Sequence, residues 1–593
     1  METNLNPTDS STRSPERGRS RESGTALLLA LGFTAIVGTL LAGAATQATL
    51  QARFMRASTD SIQAQALAEG ATEIAQQEML TALANFQDPP MSGTTVIGGT
   101  TVQWTATQIA PTSTRTSVDN LQMICTPVEI DCQVLVGSGV ANVSRVVDLT
   151  VTPVFQHMVF YDGTFHMDPG PSMTLEGRVH VNGDAYISGG TSVVFDTDYF
   201  HTTGEIIRSK IDGVAARSGT VTVKKYDDPT MVAFDAAEDS TSSNWVQTAL
   251  SRWDGSVKSG AHGVQAVQTP SIGAMNPGGF YHQQAGLIIR DDEVVNSLGA
   301  TIPVPPGVIT ETTIYDGREG KNVTVTNIDV GLLNASGLFP ANGLIYAYRT
   351  DASVAQPNGF RLRNGSTLLG NLSVVSENSV YLQGDFNTVD KKAAAVISDA
   401  VNLLSNAWND TKTAGTLPTA SPTQYNLAMI TGDVPSSSYY GGLENLPRFH
   451  ERWTGVQATI RGSFTRLYES QLARGAWQQH GDVYSPPRRD FRFDPDLLDA
   501  NNLPPFTPNA AYVRRMLWDD NREIVFKPND VSLAAMPDAQ VYDPWSYDAG
   551  FMSRVLSDPN ANNTGSRYVN TSGTATGTPR NDLSPVAPVP VGP

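Results

Sequence analysis

The sequence predicts an α+β chain, mainly β, with one long N-terminal helix ahead of a large β-rich ectodomain built as a β-solenoid or a sandwich. Three observations predict it. Thr25 to Thr46 is a run of 22 residues without a charge. From Gln47 to Phe86 there is no proline, and most residues favour helix. Beyond that, charged residues are scarce (17 % of the chain), and Thr, Ser, Asn and Gly fill the gap between β-branched runs. At 593 residues the chain exceeds one ordinary domain.

The first 24 residues are polar, with Arg13, Arg17, Arg19 and Arg21 just ahead of the apolar run. Clustered arginines beside a span predict a cytoplasmic leader over 1–24 and export of the chain beyond the span. The 22-residue run would extend ~33 Å as a helix, enough for a bilayer core of ~30 Å. The helix then continues to about Phe86, with Ile62, Ala66, Gly70 and Ile74 on one face and Leu80 and Leu83 extending the stripe. Asp88-Pro89-Pro90 stops it. A helix of ~60 residues is ~90 Å long, and an ordinary membrane anchor does not need the second half.

Gly24 before the apolar run, the short Arg-containing leader, the half-apolar helix and Ala66-Leu67-Ala68-Glu69-Gly70-Ala71 near its middle together resemble type IV pilin-like proteins, in particular the N-terminal region of PilX-type minor pilins. The resemblance covers about residues 13–86. It implies cleavage by a prepilin peptidase between Gly24 and Thr25, with the apolar half-helix packing among other pilin-like subunits and Glu69 and Gly70 in its packing region. One position departs from the family: the fifth mature residue, commonly Glu, is Leu29. Two plainer readings stand beside this one. One is a simple transmembrane anchor. The other is a secretory signal ending at the small residues Ala42-Gly43-Ala44.

Residues 87–157 read as strands of a small pilin-head-like β region. Cys125 and Cys132 are separated by six residues beside Pro127. On an exported chain they predict a small disulfide loop, the alternative being two unpaired thiols. Residues 158–388 change to short strands broken by Gly, Asn and Asp. Met173–Ile187 and the stretch from Ser366 to Asn387 share one pattern: strand, Gly, alternating strand, polar turn, strand with tyrosine. Two such units read as rungs of a solenoid or equivalent hairpins of a sandwich. A short helix is expected near Asn244–Trp253. A longer one is expected over residues 389–409, where Val396, Ala400, Leu403 and Leu404 form a stripe. Asn426–Ile430 reads as a strand, residues 389–552 as a mixed helix and strand continuation, and 553–593 as an extended Asn/Thr/Gly/Pro tail.

The chemistry signals are few. A net charge of −18 disfavours a nucleic-acid partner. Phosphate-loop, dinucleotide, nucleophile-elbow and HExxH motifs are missing from the sequence, and neither a metal nor a cofactor is expected. His166 and His180, with His157 nearby, are the only histidines close enough in sequence to suggest a metal, and packed histidines are the stronger reading. Glu444, His450 and Glu451 suit general acid–base chemistry or, more simply, an Arg–carboxylate network pinning a loop. Asp385, Asn387 and Asp390 resemble part of a calcium loop without its glycine and distal Glu. Tyr439, Tyr440, Trp453, Trp477 and Tyr484 suit stacking on a sugar and suit core or turn positions equally. The resulting expectation is a non-enzymatic, pilin-like surface protein, anchored in the inner membrane with its N-terminus cytoplasmic. Its expected partners are pilin-like subunits, a prepilin peptidase and a surface glycan or cell-surface ligand. The alternative is an anchored carbohydrate-active or carbohydrate-binding solenoid.

Overall fold

The computed structural model describes residues 22–117, 119–434, 442–475, 483–524, 539–541 and 567–569, with side chains described from 25 to 514. Helix α1 (Glu22–Ala84) is continuous over 63 residues, ~95 Å. Its first half stands bare. Its second half lies on an antiparallel sheet through Ala57, Ala64, Leu67, Ala68, Ala71, Ala75 and Met79. Facing them are Trp104, Val128, Ile130, Val143 and Val147. The buried stripe is therefore not the expected one. Ile62 and Ala66 point to solvent, while Gly70 and Ile74 are only half buried. Small residues win the contact because they let the helix axis approach a sheet that already carries large side chains such as Trp104.

The sheet order is Ser92–Ile97, Thr100–Gln108, Gln122–Val136, Gly139–Pro153, then Asn509–Ile524. The last of these returns from the far end of the chain. Asn509 is the ladder partner of Pro153, and the Val154 N–H donates to the Pro508 carbonyl at 3.0 Å. Residues 154–508 are thus inserted between two neighbouring strands of one sheet. The head is completed by a strand that the sequence reading placed in the ectodomain.

The insertion is a parallel β-solenoid, and the sandwich alternative falls with that pairing. Its first three rungs are 159–161/165–167/173–176, 179–181/185–187/192–196 and 200–202/206–207/220–224. Parallel register stacks like on like: Val159 on Val179 on Phe200, Phe165 on Ala185 on Ile206, Leu175 on Phe195 on Val223. All nine are buried. Gly462 shows how tight the stacking is, since a Cβ there would collide with the Leu427 carbonyl of the adjacent strand.

The rungs do not run in simple chain order. The chain starts in the middle of the stack and climbs to Val257–Lys258 at one end. It then crosses to the other end, restarts at Leu287–Arg290 and works back to Gln457–Arg466. That strand pairs in parallel with Val159–Tyr161, Phe464 beside Val159, and closes the stack. The crossing segment is stitched to the head. Gln268 and Ala511 exchange both backbone hydrogen bonds, at 2.7 and 2.8 Å. Asn85 accepts from the Ser271 N–H and hydroxyl, and Phe86 stacks on Phe280 with ring centroids 3.9 Å apart.

The helix expected over 389–409 is instead the strand Ala394–Leu404, buried at every position and flanked by parallel strands. Ala394, Val396, Val401 and Leu403 face the solenoid core, while Ala395 and Ile397 face a second core between solenoid and head. A strand buried on both faces loses its period-two signal, and its apolar run then matches a helical stripe by coincidence. The short helix Trp245–Trp253 and the strand Thr423–Thr431 fall where the sequence placed them.

The buried small-residue face makes a direct prediction. Ala71→Leu should cost about 1–3 kcal/mol by overpacking. Ala66→Leu, on the exposed face, should change stability by less than about 0.5 kcal/mol. Thermal unfolding of the full chain in detergent measures both.

Candidate functional sites

Among the described residues, the first half of α1 is a long apolar surface without a partner in the chain. Its apolar window has no side chain buried against the rest of the chain, and it is the one helix among the described residues long and apolar enough to cross a membrane. Thr25 and Leu29 are exposed on it, and the Gly24–Thr25 bond lies within its first turn. Glu69 is half buried and accepts from Gln65 Nε2 at 2.7 Å. Gly70 passes close to the sheet, and a Cβ there would stand 3.1 Å from Ile97 Cδ1.

The two cysteines are unbonded and buried. The expected Cys125–Cys132 disulfide does not form because both lie on the single strand Gln122–Val136. Seven steps along a strand are ~23 Å, far beyond the ~4–7 Å between bonded Cα atoms. They also serve different cores: Cys132 faces α1 and Cys125 faces the solenoid. Burial raises both thiols, Cys132 to about 11.

The polar cluster found by sequence is real, but its members are not convergent. Glu451 accepts from the Ser405 N–H and hydroxyl, both at 2.6 Å. Glu444 accepts from the Asp168 N–H at 3.3 Å, and burial pushes its carboxyl up to about 7. His450 Nε2 is 2.8 Å from Asn402 Oδ1, and its Nδ1 is 3.8 Å from Asp316. The Tyr381 hydroxyl donates to the same Asp316 at 2.5 Å. Burial lowers His450 to about 4, so it sits neutral near pH 7. Arg448 pairs with buried Glu319 at 2.8 Å and donates to the Ala473 carbonyl, while Lys412 Nζ caps the His450 and Val483 carbonyls. These contacts tie the segment 442–453 to the first rung at Asp168, to the end of strand Ala394–Leu404 at Asn402 and Ser405, and to the turn at Asp316 and Glu319. Asp316, Glu319, Tyr381, Asn402 and Lys412 were invisible in sequence, because parallel stacking brings together residues 30–130 positions apart with no local motif to mark them.

The remaining candidates are also structural. Asp385 accepts from the Gln424 N–H, and Asn387 donates to the Lys392 and Asn426 carbonyls. These side chains form the solenoid's corner. His166 and His180 lie on different faces of the coil. His180 is bonded to Tyr199 and Asn182, with the His157 ring 5.8 Å away. Among the described residues no three His, Cys, Asp or Glu side chains are placed to hold a metal. Trp453 is fully buried, and the Tyr484 hydroxyl donates to Asn445. Tyr439, Tyr440 and Trp477 lie outside the described residues.

No family model matches the chain. No curated protein matches it either. Among solved structures, one that superposes is the crystal structure of the competence-associated pilin ComZ from Thermus thermophilus. It is 10 % identical and covers 79 % of this chain and 98 % of that one, with a TM-score of 0.30. So weak a superposition decides nothing about this chain.

The cysteines and Glu444 each make a prediction. In denaturant without reductant, thiol titration should find two free thiols per chain; none would mean a disulfide. Glu444 supplies the second. Its folded value of about 7 stands above its ordinary 4.5, so its stability contribution is complete below 4.5 and lost as pH rises through 7. Glu444→Gln keeps the acceptor for the Asp168 N–H and removes the titration. Its Tm should equal the parent's near pH 4.5 and exceed it increasingly from pH 5 to 8.

Proposed function

We propose that this chain is a pilin-like, non-enzymatic surface protein. It is a minor subunit of a type IV pilus or type II secretion pseudopilus that displays a β-solenoid. In this reading 1–24 is a cytoplasmic leader, a prepilin peptidase cuts between Gly24 and Thr25, and the half-helix at 25–55 sits in the inner membrane before packing against other pilin-like subunits. The ectodomain is then periplasmic or at the cell surface.

The observation that carries the reading is the division of one continuous helix. Its apolar half is bare, and its other half is the spine of a small antiparallel sheet. A plain anchor has no use for the second half. A signal peptide cut after Ala44 would divide a helix that runs unbroken to Ala84. The bulk of the solenoid supports a tip or initiating position, because repeated copies along a shaft would clash. The non-enzymatic reading is supported by Glu444, His450 and Glu451, each committed to a separate structural partner. With Trp453 buried, the aromatic cluster gives a glycan-binding platform no specific support.

Mass spectrometry of the mature N-terminus from native membranes tests the proposal. A start at Thr25, N-methylated, is expected. A retained leader in cells with an active prepilin peptidase, or a start after Ala44, overturns it.

A further inference from the structure

We infer that the neck of the molecule, where α1 leaves the head, is a phospholipid-binding surface that seats the head on the outer face of the bilayer. Arg53 and Arg56 hold lipid phosphates there. The inference rests on the membrane anchoring of α1 and is independent of any filament role.

Four observations meet at this point. First, the helix carries no acidic residue from Thr25 to Thr59, and its only charges there are Arg53 and Arg56. Second, the apolar surface does not stop with the uncharged run. Leu50, Phe54 and Met55 are 59 %, 57 % and 68 % exposed, which is unfavourable in water but suits the boundary of acyl chains and headgroups. Arginines interleaved with such side chains extend their guanidinium groups to the phosphate layer.

Third, the lengths agree. With Thr25 at the inner surface, Arg53 stands ~42 Å up the axis, matching the ~40–45 Å of a bilayer with its headgroups. Fourth, the head has a membrane-facing tip only two helical turns, ~10 Å, beyond Arg53. The turn between strands 122–136 and 139–153 reaches back to the helix, where Asp60 accepts from the Ser138 N–H at 3.1 Å and hydroxyl at 3.3 Å. Asp60 is one helical turn beyond Arg56, and its carboxylate is engaged by the turn, not by the arginine. Beside that turn Leu135 is 68 % exposed, although its neighbour Val134 is buried against the helix. An exposed leucine beside the tip, next beyond an exposed apolar neck and facing the headgroup layer, fits a lipid surface better than water.

The experiment is spin-label depth measurement on the full chain in nanodiscs of phosphatidylglycerol and phosphatidylcholine. Labels are placed singly by Val37→Cys, Met55→Cys, Leu135→Cys and Leu332→Cys; Cys125 and Cys132 are buried. The label at 37 should lie in the hydrocarbon. Those at 55 and 135 should be severalfold less reachable by an aqueous nickel chelate than the one at 332, on the solenoid surface. Arg53→Gln with Arg56→Gln should restore access at 135 and leave 37 in place. Labels at 55 and 135 as accessible as 332, with 37 still buried in lipid, overturn the inference and spare the anchoring. An unchanged label at 135 in the double variant removes the arginines from it. A water-accessible label at 37 would sink both.

Discussion

The ladder between Gly139–Pro153 and Asn509–Ile524 is the constraint on which the rest depends. It forces both ends of the insertion to one place, one ladder step apart. A solenoid is quasi-linear, with its natural ends far apart at the two caps. The chain reconciles the two demands by starting in the middle of the stack, building to one cap, crossing to the other and returning. The seam between Val159–Tyr161 and Gln457–Arg466 is the price of that path, and parallel pairing across it makes one continuous core.

The crossing segment turns this topological necessity into packing. Met275 and Tyr281 fill a second core with Phe155, Phe160, Ile430 and Tyr512, between solenoid and sheet. Strand Ala394–Leu404 supplies alternate side chains to both cores. Buried ion pairs such as Arg448–Glu319 add register more than stability, since desolvation offsets much of their attraction. Arg448, on a two-residue strand beside Asn402 and Leu403, is tied by this pair to the turn that carries Glu319.

What the sequence made legible was what depends on near neighbours. The unbroken helix, its bare apolar half and the rung pattern of Met173–Ile187 could be read because each is a local periodicity. The structure departs from local pattern where contacts are set by partners distant in sequence. Val396, Ala400 and Leu404 fit a helix until flanking strands are known. Ile62 and Ala66 match a hydrophobic stripe, but the sheet selects the face whose small side chains allow the closest approach. Cys125 and Cys132 looked bondable because spacing in sequence conceals an extended strand. That residues near 509 complete the sheet begun near 92 has no local signal whatever.

The same constraint determines how the solenoid is presented. A domain joined by one linker samples many orientations. This one is joined by two adjacent strand ends, and is pinned again where Gln268 pairs with Ala511 and Phe86 stacks on Phe280. The pins are spaced around the crossing segment, so rotation about the strand ends would break backbone hydrogen bonds or open the second core. The solenoid is thus connected through the sheet to the small-residue face of α1. The direction of the solenoid is fixed by the fold relative to the helix axis, and a rigid display of that kind is what separates an inserted domain from a tethered one.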